Sequence, residues 1–487
     1  VVAAAPGPEA EQPGDGRGFV VAVLGGGVSV VSLVDTLIAA QSSASTPPMV
    51  VRLHARRSDR LEAIARHCRA RLARTGGHRT HRPPILLEAR ASLDDALAGA
   101  DIVVNLIRAG GNRARSHDEQ LLRWRGAPGD EGIGPGGASN AWRSVPLFGA
   151  IALRISQLAP EAVVLNMAAP LGVTTRAFWD AGVACTGLCE LPLVIEAQLR
   201  SHGAGPLRYL GFNHLGVFSP DPATGPSADG ALDHLATVAA RAGLAATETV
   251  IRLGGVPLPY YHRVLRPDLG ARLSISSPEG RAAQLSELTE ALLDTIRHHP
   301  SDDVSDRVDD LLGSRPTPWF DQALVPALLA ITTREPVRLA LNRPNDDGDS
   351  RATEAGRLER RPRPSLTIHG VAPECIVEHI GRWPIVADRP DDLGAAPTAC
   401  TPATATMLAA IGRAESLTYA ASKTRDLSIL REALLAWDDV EGQQVGRSDT
   451  DTVDCWVRAV IAGSSSEEPP DGASLTGRTA SSARGSG

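Results

Sequence analysis

Three consecutive glycines, Gly25-Gly26-Gly27, stand between an apolar run, Phe19–Leu24 (FVVAVL), and an apolar helical stretch, Val28–Ala40. Strand, glycine turn and helix form the opening of a dinucleotide-binding βαβ unit. The glycines let the backbone approach a pyrophosphate, and the helix N-terminus favours its charge. Gly25, Gly26, Gly27, Val28 and Ser29 are therefore the candidate cofactor contacts. The match to G-x-G-x-x-G is imperfect, because Val30 holds the third glycine position. Taken alone, the turn marks a nucleotide site no more often than not. The next apolar run, Met49–Leu53, leads into His54-Ala55-Arg56-Arg57, with no carboxylate before Asp59. An acid at that place grips the ribose hydroxyls of NAD, whereas arginines suit the 2′-phosphate of NADP. Arg56 and Arg57 are either such contacts or two exposed arginines entering a helix.

A second chemically dense stretch, Arg108 to Gly137 (RAGGNRARSHDEQLLRWRGAPGDEGIGPGG), follows the buried-strand pattern of Asp101–Ile107. Open α/β sheets bind ligands beyond the carboxyl ends of their strands. This stretch reads as a ligand-binding loop there, or as a solvated surface loop.

The elements that would position these residues alternate. Strand candidates at Ile85–Ala89, Asp101–Ile107 and Ala162–Asn166, and one ending in the segment Thr186–Pro192, are separated by helical stretches at Arg60–Arg74, Leu93–Ala98, Pro146–Leu158 and Thr174–Ala181. This is the pattern of a doubly wound sheet. From residue 228 helical spacing dominates, at 228–243, 281–297, 302–313, 321–333, 371–382 and 402–439. The expected fold is α/β: an N-terminal Rossmann-type doubly wound sheet, then a mixed, helix-rich C-terminal domain. The expected organisation is a disordered segment 1–18, a dinucleotide-binding domain 19–192, a substrate, metal and oligomerisation domain 193–445 with a charged insertion at 343–365, and a Ser/Gly-rich disordered tail 464–487.

The 487 residues carry a formal net charge of −7, so overall charge implies no nucleic-acid partner. Lys423 is the only lysine, which leaves little room for Schiff-base chemistry. Six scattered cysteines fit neither a zinc ribbon nor a disulfide framework, and a reducing, cytoplasmic setting is the simpler expectation. No secretory signal is read. Residues 19–40 are apolar enough to resemble a membrane span, but the triple glycine and Asp35 favour strand, turn and helix.

Seven ordered blocks resemble glycoside hydrolase family 4, the NAD- and metal-dependent glycosidases and 6-phospho-glycosidases. Val21–Ser29 (VAVLGGGVS) is similar to the family's strand–GGGS turn. The stretch from Ile107 resembles its R-V-G-x-x-x-A-R-x-x-D-E block, and Glu131–Gly137 its E-T-x-G-x-G-G continuation. VLNMAAPLG resembles N-x-T-N-P-A-G, GLCELP resembles G-x-C-N-x-P, GFNHL resembles G-x-N-H, and VPLPYYHR resembles I-P-x-x-Y-L-x-Y. The spacing holds from about 20 to 440. The resemblance also implies an architecture of the lactate and malate dehydrogenase kind.

What it implies chemically is a redox-assisted elimination on a sugar. Oxidation at C3 acidifies the C2 proton, a divalent metal stabilises the enolate, and a tyrosine removes the proton before the glycosidic oxygen leaves. It implies NAD, or NADP, and Mn²⁺ or another divalent metal. It places Cys189 and His214 as metal ligands, Tyr260 as base, and Arg108 at the reacting centre. Arg108, Glu131, Asn166, Asn213 and Arg281 become substrate contacts. Read singly, Cys189 is a buried structural thiol and His214 a satisfied core histidine. A small sugar or glycoside is the implied ligand, with a homodimer or homotetramer as the assembly and no membrane partner.

The chain departs from the family around the sugar. Ala169 replaces the second Asn of N-x-T-N-P, and Gly132-Ile133 replace two polar residues after Glu131. Glu190 follows the metal cysteine where the family has Asn, offering a third ligand or a partner for an arginine. Tyr261-His262-Arg263-Val264 replaces the family's Y-L-x-Y. Three functions fit these departures. They are a divergent glycosidase with an altered pocket, a related oxidoreductase, epimerase or lyase on a sugar-like compound, and a non-catalytic homologue.

Overall fold

The computed structural model describes residues 18–40, 48–76, 85–123, 129–221, 228–260, 280–298, 305–314, 317–345, 368, 371–384, 401–441 and 450–464. Eleven strands form one sheet: β1 (Phe19–Gly25), β2 (Met49–His54), β3 (Ile85–Arg90), β4 (Ile102–Leu106), β5 (Val163–Asn166), β6 (Cys185–Cys189), β7 (Leu207–Phe212), β8 (Leu215–Pro220), β9 (Val256–Pro257), β10 (Val337–Pro344) and β11 (Ile376–Trp383). Their spatial order is β3-β2-β1-β4-β5-β6-β10-β11-β7-β8-β9. The first six are parallel, in the 3-2-1-4-5-6 order of the doubly wound fold. From β10 onward every pairing is antiparallel.

Central parallel strands are covered on both faces, so they are apolar throughout rather than alternating. Val20 to Leu24 of β1 are all buried. One face packs against the helices Val30–Ala40, Ser58–Gly76, Arg281–His298 and Val325–Thr333. The other packs against Gly134–Leu158 and Leu171–Asp180, with Tyr419 of the helix Pro402–Thr424 joining them. Among the described residues no helix is long and apolar enough to cross a membrane.

Four expectations need correction. Residues 371–382, expected as helix, hold strand β11. Glu378 and His379 interrupt its apolar run and imitate helical spacing, but the strand is interior and buries both faces. Strand β10 extends through Arg343 and Pro344, where the insertion was expected to begin; residues 346–365 of that insertion lie outside the described residues. The span 402–439 is two helices, Pro402–Thr424 and Leu427–Glu441, broken where Arg425 turns left-handed (φ 61°) and Asp426 accepts the Ser428 N–H at 2.8 Å. The Arg108–Gly137 stretch is not a loop throughout. Gly111–Arg123 is helical, and the helix expected from Pro146 begins at Gly134. Its glycine cluster has a steric cause: a Cβ on Gly136 would lie 1.9 Å from the Asp130 carbonyl oxygen. The segments expected as disordered, 1–17 and 465–487, lie outside the described residues, with Gly18 and Ser464 described.

Candidate active site

The glycine turn closes β1 with three successive left-handed residues, at φ 86°, 87° and 52° for Gly25, Gly26 and Gly27. That backbone is strained for any residue with a Cβ. At Gly25 sterics add to it, since a Cβ would sit 2.9 Å from the Ile107 backbone. At Gly27 a Cβ would meet nothing within 4 Å, so this backbone faces open space and can be approached closely. The Ser29 hydroxyl donates to the Gly26 carbonyl at 2.5 Å, pinning the turn. Val28 is buried against the sheet. The turn thus fits a diphosphate. At the end of β2, His54 bonds the Arg90 carbonyl at 2.9 Å, and Arg56 is exposed. Arg57 lies 3.7 Å from Asp59, which also pairs with Arg297 at 2.7 Å. The nearest carboxylate is therefore engaged by arginines, and Arg56 is the cation presented to solvent.

Beyond β4, Arg108 donates two hydrogen bonds to Glu131, at 3.1 and 3.3 Å, and one to Asn112 at 3.0 Å. Arg115 binds the same Glu131 at 2.7 Å and Glu119 at 2.7 Å. Glu119 in turn accepts the Ala282 N–H at 3.1 Å, at the start of the helix Arg281–His298. Its first residue, Arg281, is exposed, with a 3.2 Å bond to Gln284. Arg108 and Glu131 thus hold each other, forming a charged wall rather than a free cation.

The Asn166 side chain is spent on the protein. Its carbonyl accepts from Asn105 at 2.9 Å and from the Ala168 N–H at 3.1 Å, and its amide donates to Thr174 and Thr175, both at 3.0 Å. The substrate contact expected of it is replaced by a structural role: it fixes the turn after β5. Asn140 ties this turn to the Glu131 segment by donating to the carbonyls of Ala169 (2.9 Å) and Glu131 (3.0 Å). Gly132 and Ala169, two of the three positions expected to have lost polar side chains, are neighbours: a Cβ on Gly132 would lie 3.9 Å from that of Ala169. Ile133 instead points into the core beside Phe212 and Trp437.

Cys189 ends β6 and is buried. Asn213 and His214 form the two-residue turn between β7 and β8, with His214 left-handed at φ 65°. Such a backbone is uncommon outside glycine, although histidine tolerates it better than most residues. The His214 ring stacks on Tyr260, centroids 4.3 Å apart and planes 28° apart. The Asn213 side chain reaches toward the Cys189 sulfur and favours its thiolate. His214 and Tyr260 thus meet from the β7–β8 turn and the segment after β9, and Asn213, the chain neighbour of His214, reaches toward Cys189 at the end of β6.

Burial pushes the Cys189 thiol well above its ordinary range, and the nearby Glu378 and Glu190 carboxylates push it further. The bonds from the Leu191 N–H and Asn213 oppose this. Negative charge gathered around a thiol suits a divalent cation, which would favour the thiolate. Among the described residues no three His, Cys, Asp or Glu side chains converge as a metal cage. Glu190, the expected third ligand, acts on the Cys189 thiol through its charge. It stands at the N-cap of the helix Leu191–Ser201, its carboxyl raised chiefly by burial.

Sequence reasoning missed two carboxylates. Glu378 on β11 is fully buried beneath Asn213. Glu415, from the helix Pro402–Thr424, leans on the N-terminus of Leu171–Asp180, its Oε2 2.7 Å from where a Gly172 Cβ would be. Burial pushes its carboxyl up to about 8; Arg176 opposes the shift and Glu378 adds to it. The available signal was a glutamate inside each buried stretch.

Residues 20–204 match the model of the family 4 glycosyl hydrolases. A probable 6-phospho-beta-glucosidase of Bacillus subtilis (strain 168) is 30% identical over 145 residues, covering 28% of this chain and 33% of that protein. The maltose-6′-phosphate glucosidase of the same organism is 26% identical over 213 residues, covering 41% and 45%. The chain thus spans between a third and just under half of these relatives' length. The structure of a 6-phospho-alpha-glucosidase from gut microorganisms, in complex with NAD and Mn²⁺, matches with a TM-score of 0.67 at 17% identity, covering 92% of this chain and 98% of that one. The 6-phospho-beta glucosidase from Thermotoga maritima, with manganese, NAD⁺ and glucose-6-phosphate, matches with a TM-score of 0.66 at 18% identity, covering 91% and 98%. In sequence over residues 20–204, and in fold over most of its length, the chain resembles the family 4 glycosyl hydrolases.

Proposed function

We propose that this protein is a glycosidase of the family 4 kind, dependent on NAD or NADP and on a divalent metal such as Mn²⁺, with an altered sugar pocket. One observation supports the reading: His214, which the resemblance names as a metal ligand, stacks at 4.3 Å on Tyr260, which it names as the base, while Asn213 beside His214 reaches toward Cys189. On this reading Gly25, Gly26, Gly27 and Ser29 hold the cofactor diphosphate, while Arg56 favours a 2′-phosphate. Cys189 and His214 hold the cation. When bound, the two groups supply hydride exchange and Lewis acidity. The chain's own residues do the rest. Tyr260 takes a proton from the sugar, and the imidazole packed on its face orients it. The Arg108–Glu131–Arg115 wall presents fixed charge to the sugar hydroxyls, and Asn213 keeps the Cys189 sulfur in place.

Gly132 and Ala169 together remove polar contacts from one wall. We infer a sugar that lacks, or carries modified, hydroxyls on that side, because a site without donors gains nothing from a hydroxyl it cannot bond. The test is aglycone release from p-nitrophenyl glycosides, with and without a 6-phosphate, in the presence of reductant. Release that needs both nicotinamide cofactor and Mn²⁺, without net NADH formation, is the expected result. Net NADH with an intact glycosidic bond would replace this reading with the oxidoreductase one. No turnover and no uptake of either group would leave a binding homologue.

A further inference from the structure

Glu378 lies at the middle of the sheet, fully buried, where β11 is flanked by β10 and β7. Three donors reach it from three strands or turns. The Asn342 amide donates to Oε1 at 2.8 Å, the Asn213 amide to the same oxygen at 2.9 Å, and the Tyr209 hydroxyl to Oε2 at 2.5 Å. Register explains the convergence. Asn342 pairs with both Gly187 of β6 and Glu378 of β11, and Glu378 pairs with Gly211 of β7. Side chains alternate along strands, so Cys189, two residues beyond Gly187, shares the face of Asn342 and Glu378.

An amide nitrogen carries two hydrogens. That of Asn213 gives one to Glu378, which leaves a second to offer the Cys189 sulfur on the same face of the sheet. The next residue is His214, locked in a left-handed turn against Tyr260. We propose that Glu378 is a positioning residue. Through Asn213 it fixes the Cys189 sulfur and the His214 ring relative to each other for a divalent cation. This rests on the reading of Cys189 and His214 as a cation-binding pair. A buried carboxylate is costly to keep, and packing alone does not require one. Here one of its hydrogen bonds goes to Asn213, the chain neighbour of the candidate ligand His214, one step further out than the direct partner of a metal ligand.

The experiment is a Co²⁺ titration of the full chain, followed by the thiolate-to-cobalt absorption band, with circular dichroism and nucleotide uptake recorded alongside. Glu378→Gln keeps the shape but sets an amide nitrogen against donors. It is expected to stay folded, to take up nucleotide as the wild type does, and to bind Co²⁺ about 10- to 100-fold more weakly. Tyr209→Phe removes one donor and no bulk; it is expected to weaken Co²⁺ binding less, and it carries the test if Glu378→Gln fails to fold. Wild-type Co²⁺ affinity and an unchanged band in the folded variants would overturn the proposal. Cys189→Ala separates the two readings. If the wild type shows no band, or if Cys189→Ala binds Co²⁺ as tightly as the wild type, the cation-binding pair itself is wrong and the role of Glu378 falls with it.

Discussion

The glycine turn after β1 is assembled from residues adjacent in sequence, whereas the pocket around Cys189 draws on β6, β7, β10, β11 and two intervening turns. The turn's requirements are conformational: three left-handed residues and a close approach to Ile107. The pocket's requirements are electrostatic: a buried thiol beside buried carboxylates whose donors come from other strands. A local backbone device fails by strain when one atom is added. A long-range polar device fails when one partner is left without its hydrogen bond.

The largest expected effect lies in the pocket. Cys189→Ala should weaken metal binding by more than about 100-fold, beyond the usual cost of losing an outer partner, with little change in fold. Equilibrium dialysis against Mn²⁺ checks it; a variant that retains the metal would erase the contrast between the two regions.

Next comes the turn. Gly25→Ala combines a left-handed φ with a backbone clash that no side-chain rotation relieves, and should cost about 2 kcal/mol or more. Gly27→Ala has the φ penalty alone, about 1 kcal/mol, yet should weaken nucleotide binding comparably, because its new methyl occupies the open approach. Thermal unfolding with and without NAD⁺ separates the two. Equal stability losses would show that sterics at Ile107 do not matter.

Glu415 gives a smaller effect with a definite sign. Its folded value of about 8 lies above its ordinary 4.5, so the folded state holds the proton more tightly. Stability contributed by this group is therefore highest at low pH and is lost as pH rises from about 4.5 to 8. Glu415→Gln should abolish that slope and exceed the wild type by more than about 1 kcal/mol near pH 8. Denaturant titrations at pH 5 and pH 8 measure the difference; parallel curves for the two proteins would remove Glu415 from the buried charges of the pocket.

The smallest expected effect is at Arg56. Arg56→Ala should weaken NADP⁺ binding by about 1 kcal/mol or less, as for an exposed ion pair, and leave NAD⁺ binding unchanged. Equal losses for both nucleotides would show that Arg56 does not read the 2′-phosphate.

The parallel half of the sheet and its glycine turn were legible because their signals are short-range: apolar runs, a glycine cluster, helices of regular period. Cys189, His214 and Tyr260 were reached through motif resemblance, and the structure adds the stacking of His214 on Tyr260. Glu378 was invisible for a physical reason. Strand β11 is buried on both faces, so neither alternation nor a surface pattern marks it, and its partners Asn342 and Tyr209 are distant in sequence. Asn166 misled for the converse reason. Its position in a recognisable turn suggested a ligand contact, but four bonds within the protein saturate its amide.

The strand order also has a consequence for synthesis. Strands β6 and β7 follow each other in the chain but are not neighbours in the sheet; β10 and β11, made far later, lie between them. A nascent chain that has emerged past His214 already holds both candidate ligands, yet lacks Asn342 and Glu378, which link their strands. Each of those residues closes a long loop, which adds to the entropic cost of joining this part of the sheet. Until residue 383 has left the ribosome, the glycine turn and both candidate ligands exist without strand β11, which joins their two halves of the sheet.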